Sequence, residues 1–115
     1  MLRGDIRLVG FGTGLEGEAA RTRPAVIVSN DGANSTAARL GRGAVTVVPM
    51  TSNVERVYPF QVLVSSKSSG LGKASKAQAE QVRTVSVDRI GERLGGVPAP
   101  LMLEIDDALR LHLSL

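Results

Sequence analysis

Arg23 is the first side chain in this sequence whose setting indicates chemistry. It stands directly before Pro24 at the start of an apolar segment. Proline fixes its own φ and keeps the preceding residue extended, so the guanidinium is presented from a rigid strand entrance. Its planar fork of N–H donors matches a phosphate. The alternative is an ordinary charged residue opening a surface strand.

The stretch VVPMTSN, from Val47 to Asn53, offers hydroxyl groups at a second strand end. Thr51, Ser52 and Asn53 follow Pro49, and a rigid strand would hold hydroxyls there in position to donate to a phosphate oxygen. The alternative is a polar turn closed by local backbone hydrogen bonds.

A glycine-rich stretch, GTGLEG, has the spacing of a dinucleotide-binding loop. That loop needs a helix beginning at its glycines to point an N-terminus at the pyrophosphate. Only a few residues separate Gly17 from the strand expected at Pro24, so we expect a mobile surface loop over Gly12–Thr22.

Other candidate groups favour structural roles. His112 is the single histidine and lies between leucines, which favours packing or an interface over catalysis or zinc binding. Glu104, Asp106 and Asp107 read as an acidic helix face whose spacing does not converge on a metal. No cofactor or metal site is expected.

The segment Ser65–Lys76 is rich in lysine and forms a basic region of the sequence. Lys73 and Lys76 could follow a phosphate backbone, but serine, glycine and lysine are equally typical of a solvated loop.

The composition narrows the class of protein. The 115 residues predict one domain, 1–115, with 43% apolar residues and no cysteine for disulfides or thiolate metal sites. No leader or membrane span is evident, so we expect a soluble, cytoplasmic protein. A net charge of +3 is compatible with a polyanionic partner. Three aromatic residues are too few for a broad base-stacking platform.

Hydrophobic patterning predicts several short strands before one long helix. That order favours an antiparallel curled sheet or small barrel with an attached helix, a mainly β (α+β) fold, over βαβ units. The expected strands are Asp5–Phe11, Pro24–Asn30, Gly43–Met50, Tyr58–Ser65 and Ala79–Val87.

Helices and loops are expected between and after these strands. Residues 35–40 could form a short helix, capped by Asn34 or Ser35 and ended by Gly41. Residues 65–76 are expected to be a flexible loop, and residues 87–96 a short turn of helix. In the C-terminal helix, the buried positions are expected at Leu101, Ile105, Ala108, Leu109 and His112.

Taken in order, six segments of the chain resemble the MazF/PemK family of toxin endoribonucleases. Each segment alone is short, but the ordered set covers nearly the whole chain. The segments are LRGDI, RPAVIVSN, VTVVPMTS, YPFQVLV, AEQVRTVSVDRI and DDALRLHLSL.

The resemblance implies a small SH3-like β-barrel of the CcdB/MazF type with short helices and a C-terminal helix, forming a homodimer. It also implies metal-independent, sequence-specific cleavage of single-stranded RNA, leaving a cyclic phosphate and a 5′-hydroxyl and so inhibiting translation. Family members are toxins silenced by an antitoxin, which implies a cognate MazE-like antitoxin here.

The family's catalytic arginine and threonine map onto Arg23 and Thr51. Glu18 takes the place of the glutamate in the family's Gly-Ser-Glu loop, although Glu16 and Gly17 replace its Gly-Ser; a proton-transfer role for Glu18 is a hypothesis. The resemblance and the basic loop together give the expected RNA-binding residues, which are Ser52, Asn53, Lys73, Lys76 and Gln81.

Two alternatives share the same fold. One is a non-catalytic toxin that binds gyrase, like CcdB, and the other is an inactive homologue that only binds antitoxin. The presence of both Arg23 and Thr51 favours the nuclease.

Overall fold

The computed structural model describes residues 1–13 and 20–115, and within them the chain forms an antiparallel sheet with three helices. The strands are β1 (Asp5–Thr13), β2 (Ala20–Ile27), β3 (Ala44–Thr51), β4 (Gln61–Val64), β5 (Ser75–Gln78), β6 (Arg83–Ser86) and β7 (Ile90–Gly96). The helices are α1 (Asp31–Leu40), α2 (Ser66–Ser69) and α3 (Ala99–Leu113). No helix of the described ranges has the length and apolarity to cross a membrane.

The strand order is β4-β5-β3-β2-β1-β7, with β6 also pairing β3. The ladder pairings found do not join its two ends, so the sheet is open rather than a closed barrel. The segment after β4 nevertheless approaches β7, because a Cβ built on Gly95 would lie 2.0 Å from the Ser69 carbonyl oxygen. The fold is therefore the expected mainly β architecture with a strongly curled, unclosed sheet.

β3 changes its neighbour along one edge. Residues 44–47 pair with β6, whereas Met50 and Thr51 pair with β5. Pro49 falls between these two ladders and so offers no backbone donor where none is needed.

Strand alternation gives the sheet two apolar faces. The helix-side core contains Val48 and Met50 and is covered by Ile105 of α3. The second core contains Val47 on the opposite face and packs against Ala37 of α1. Residues of one strand therefore serve both cores, which fixes the register of the sheet.

The first hairpin corrects the expected loop over Gly12–Thr22. β1 continues to Thr13 and β2 already begins at Ala20, with a register shift between Gly10 and Gly12. Gly12 has a φ of +77°, so this glycine serves a bulge in the ladder rather than ending it. Residues 14–19, including Glu18, lie outside the described residues.

The segment Ser65–Lys76 is not the loop that we expected. Ser65 caps α2 by accepting a hydrogen bond from the Ser68 N–H, and Gly70 ends this helix in the left-handed region. Ser75 then opens β5. Serine caps and short polar strands have loop-like compositions, which explains the error.

β7 was also predicted wrongly, as a turn of helix, although residues 87–89 do form a 3₁₀ turn before it. Its glycines permit close backbone approach, since a Cβ on Gly91 would lie 2.9 Å from the Leu8 carbonyl oxygen. Residues 79–81 form a further 3₁₀ turn where the strand Ala79–Val87 was expected, so only its second half is β6. The expected strand Tyr58–Ser65 likewise shortens to β4.

Both long helices were expected, with differences at their ends. α1 starts at Asp31, and its cap is Asn30, whose side chain accepts from the Ala33 N–H, rather than Asn34 or Ser35. In α3, Ile105 and Ala108 are buried as predicted, and Met102 joins them.

For His112 we predicted packing or an interface, and the structure excludes packing within this chain, while the interface role stays a prediction. It lies one turn beyond Ala108 but is exposed near the end of α3.

Candidate functional site

The pairing of β2 with β3 brings Arg23 and Thr51 together. Residues 25–27 of β2 pair with residues 49–47 of β3 in antiparallel register. Continuing that register by two residues places Arg23 opposite Thr51, on the face that carries the second core. Arg23 lies within β2 rather than at its entrance, because the strand begins at Ala20.

The Arg23 guanidinium is half-buried and held on one side. Its Nη2 donates to the Met50 carbonyl oxygen (3.0 Å) and to Oε1 of Gln78 (2.6 Å). The described residues supply no acceptor to Nε or Nη1, so the other edge of the fork is left to bind a ligand. Burial, with a smaller contribution from the positive charge of Arg21, lowers the pKa of Arg23.

Thr51 ends β3 with its hydroxyl oriented by the next turn. The backbone N–H of Asn53 donates to Thr51 Oγ1 (3.2 Å), and the N–H of Glu55 donates to Asn53 Oδ1 (3.3 Å). Local hydrogen bonds of the kind that we weighed as the alternative are thus present. They use the threonine oxygen as acceptor and leave its proton to donate to a ligand. Ser52 and Asn53 are exposed beside it.

Lys76 belongs to this site, but by a different route from the one expected. It lies on β5 opposite Thr51 and is only 8% exposed. Its Nζ donates to the Arg56 carbonyl oxygen (2.6 Å), which leaves two of the three ammonium donors without a described acceptor. Cross-strand partners have Cβ atoms about 4.5–5.5 Å apart, so the Lys76 and Thr51 side chains leave neighbouring positions on one face of the sheet.

Gln78 is a site residue that sequence reasoning missed. It lies two residues after Lys76 on β5, on the same face, and accepts the Arg23 hydrogen bond. Behind it, Gln61 pairs with Gln78 across the strands and donates through Nε2 to Glu80 (2.6 Å). The period-2 spacing from Lys76 would have identified Gln78 had β5 been recognised as a strand.

The remaining expected residues are not joined to this centre. Lys73 is exposed before β5, and Gln81 is exposed at the end of a 3₁₀ turn. No hydrogen bond in residues 1–13 and 20–115 links either side chain to Arg23 or Thr51. Glu18 lies outside the described residues.

A half-buried guanidinium, an oriented hydroxyl and a buried ammonium converge on one face of a basic domain. Donors of these types are the ones that bind phosphate oxygens of polyanions.

The family follows from comparison with known proteins. A family model described as PemK-like, MazF-like toxin of type II toxin–antitoxin system matches residues 2–113. The chain is 51% identical over 115 residues to Endoribonuclease MazF9 of Mycobacterium tuberculosis, covering 100% of this chain and 98% of that protein. It is 31% identical over 114 residues to Endoribonuclease MazF of Staphylococcus epidermidis, covering 98% and 91%. The chain belongs to the PemK-like, MazF-like toxin family.

Solved structures agree with this fold. A mycobacterial endoribonuclease in complex with its cognate antitoxin superposes with a TM-score of 0.77 at 28% identity, covering 100% of this chain and 96% of that chain. MazF from Deinococcus radiodurans gives 0.78 at 24% identity, covering 100% and 97%. The expected fold and family are confirmed.

Proposed function

We propose that the protein is the toxin of a toxin–antitoxin pair and cleaves single-stranded RNA at short sequence motifs, inhibiting translation. The observation that carries this proposal is the hydrogen bond from Arg23 Nη2 to the Met50 carbonyl oxygen, which holds Arg23 beside the end of β3 that carries Thr51, on a chain of the MazF-like toxin family. The relatives that it resembles over their full length are named endoribonucleases, which favours the nuclease over a gyrase-binding toxin.

The cleavage uses the RNA's own 2′-hydroxyl. Its oxygen attacks the adjacent phosphorus as the proton leaves, the P–O5′ bond breaks, and O5′ takes up a proton, giving a cyclic phosphate and a 5′-hydroxyl. The free edge of Arg23 and the Thr51 hydroxyl donate to the phosphorane oxygens, where negative charge accumulates. Each preorganised donor of this kind typically contributes a factor on the order of 10²–10³ in rate.

Proton transfer requires a base for the 2′-hydroxyl and a proton donor for O5′. A guanidinium is not deprotonated in proteins, so Arg23 stabilises the charge on the departing O5′ by hydrogen bonding, and water supplies the proton. Glu18 is the proposed base for the 2′-hydroxyl, and an inactive Glu18→Gln variant that still folds and binds RNA would support this role. Full activity of that variant would remove Glu18 from the mechanism.

RNA binding extends from the centre along polar side chains. Ser52, Asn53 and Lys76 border Thr51, while Lys73 and Gln81 contact RNA farther along its path. A MazE-like antitoxin covers this surface, the active form is a homodimer, and the protein acts in the cytoplasm, where its substrate is. The antitoxin is supported by the similar mycobacterial endoribonuclease, which was solved with its cognate antitoxin.

The test is to incubate the purified protein with a long RNA of known sequence in excess EDTA and to map cut sites and fragment ends. Arg23→Ala and Thr51→Ala are compared with Arg39→Ala and Thr36→Ala, exposed positions on α1. We expect recurrent cuts with 5′-hydroxyl ends that only the first two variants lose. Intact RNA from folded protein would refute the nuclease and leave a gyrase binder or an inactive antitoxin-binding homologue.

A further inference from the structure

A polar cleft adjoins the proposed catalytic centre and is not used by the cleavage chemistry. It is lined by Asn53, Glu55, Arg56, Tyr58 and Lys76, which we call the base cleft. Asn53 donates to the Thr51 hydroxyl oxygen, and Lys76 lies opposite Thr51. The base cleft therefore begins where the scissile phosphate would lie.

One wall of the base cleft is a stacked, planar surface. The rings of Tyr58 and Phe60 lie 5.3 Å apart and 4° from parallel. The Arg56 guanidinium carbon lies 5.7 Å from the centre of the Tyr58 ring, and Nη1 donates to the phenol oxygen (3.0 Å). Tyr58 is 41% exposed. Aromatic and guanidinium planes of this kind stack on unpaired nucleobases.

The polar groups of the base cleft include both hydrogen-bond donors and a hydrogen-bond acceptor. Lys76 is buried with two donors to spare, and the side-chain amide nitrogen of Asn53 has no acceptor among the described residues. The Glu55 carboxylate, by contrast, has no donor within residues 1–13 and 20–115. A carboxylate beside an RNA backbone is repelled by the phosphates. It is therefore favoured there only where hydrogen bonds donated by a base offset that repulsion.

We infer that the base cleft selects a nucleobase with an exocyclic amino group, at one position within two nucleotides of the cut. This inference rests on the proposed function. Guanine, adenine and cytosine each place an amino donor next to a ring or carbonyl acceptor, which matches Glu55 beside Lys76 and Asn53. Uracil places carbonyl oxygens on both sides of its one N–H, so a carboxylate there meets two acceptors.

The expected discrimination against uracil can be estimated from the typical strength of base-specific contacts. A well-placed polar contact of this kind discriminates by a factor on the order of ten to a hundred. Glu55→Gln replaces one carboxylate oxygen with a donor amide, so the variant gains a partner for a uracil carbonyl and its discrimination falls. Glu55 is exposed, so the substitution leaves the fold intact.

The experiment sequences the cleavage products of a randomised RNA library. Wild-type protein is compared with Glu55→Gln and with the matched control Glu92→Gln, an exposed carboxylate on β7 that changes the net charge equally. We expect uracil to be depleted about tenfold or more at one position near the cut, and Glu55→Gln alone to remove most of that depletion. An equal shift in both variants, or uracil accepted at every nearby position, would overturn the inference. Absence of any cleavage by the wild type would instead refute the proposed nuclease.

Discussion

Gln78 offers a test of how the site holds its arginine. Oε1 of Gln78 accepts from Arg23 Nη2 at 2.6 Å, and Gln78→Glu turns this hydrogen bond into an ion pair. The hydrogen bond already involves a charged donor, so the gain comes from the added ion pair, which should raise the free energy of unfolding by up to about 1 kcal/mol. Activity should move the other way. A phosphate on the free edge of the guanidinium would lie roughly 6 Å from the new carboxylate, a repulsion of about 3 kcal/mol at an effective dielectric near 20.

That repulsion corresponds to a loss of about a hundredfold in kcat/KM. Single-turnover cleavage of one fluorescent RNA gives the rate, and thermal unfolding followed by circular dichroism gives the stability. Gln78→Met is the companion variant, which keeps the side-chain length, removes the acceptor and should lower both quantities. If Gln78→Glu cleaved RNA at the wild-type rate, or lost stability together with activity, the positioning role of Gln78 would be refuted.

Two further predictions concern stability. Burial raises the pKa of Asp5, but hydrogen bonds from a backbone N–H and from Arg93 outweigh it and lower that pKa overall. A carboxylate whose pKa is lower in the folded state stabilises the fold at pH values above its unfolded pKa of about 3.9. That stabilisation is lost as the pH falls through the lower folded-state pKa. Asp5→Asn should therefore cost about 1–2 kcal/mol in urea unfolding at pH 7 and little at pH 2, and an equal cost at both would contradict this. Gly95→Ala places a Cβ 2.0 Å from the Ser69 carbonyl oxygen, whereas Gly72→Ala meets nothing within 4 Å. The first should cost about 1–3 kcal/mol and the second little in thermal unfolding, and equal costs would contradict the close contact of α2 with β7.

Arg23 and Thr51 could be singled out from sequence because their signals are local, and the family resemblance joined them as the proposed catalytic pair. Arg23 stands beside a proline, and Thr51 ends a strand rich in β-branched residues. Two such runs predict strands, and their pairing gives the register that places these residues opposite each other. Residues 14–19 contain Glu18, so that part of the prediction remains a hypothesis.

The β5 side of the site could not be predicted in the same way. β5 is the sequence SKAQ, in which Ala77 is the one apolar residue, and it becomes a strand because it pairs with both β3 and β4. Lys76 was therefore assigned to a solvated loop, and Gln78 was not considered. β7 was missed for a similar reason, since its glycines are required by close backbone contacts that no local pattern reveals.

The position of the site follows from the two-residue period of the sheet. The alternation that sends Val48 and Met50 into the helix-side core sends Val47 to the opposite face, and Thr51 continues that face by one further period past Pro49. On β2, Arg23 continues the face of Ala25 in the same way. The polar centre is thus the extension of an apolar core onto a part of the sheet where β5 replaces β6 as the neighbour of β3. Because these strands are fixed by the packed core, the polar side chains at their ends are held in position. Donor groups held in this way can stabilise a transition state without reorganising.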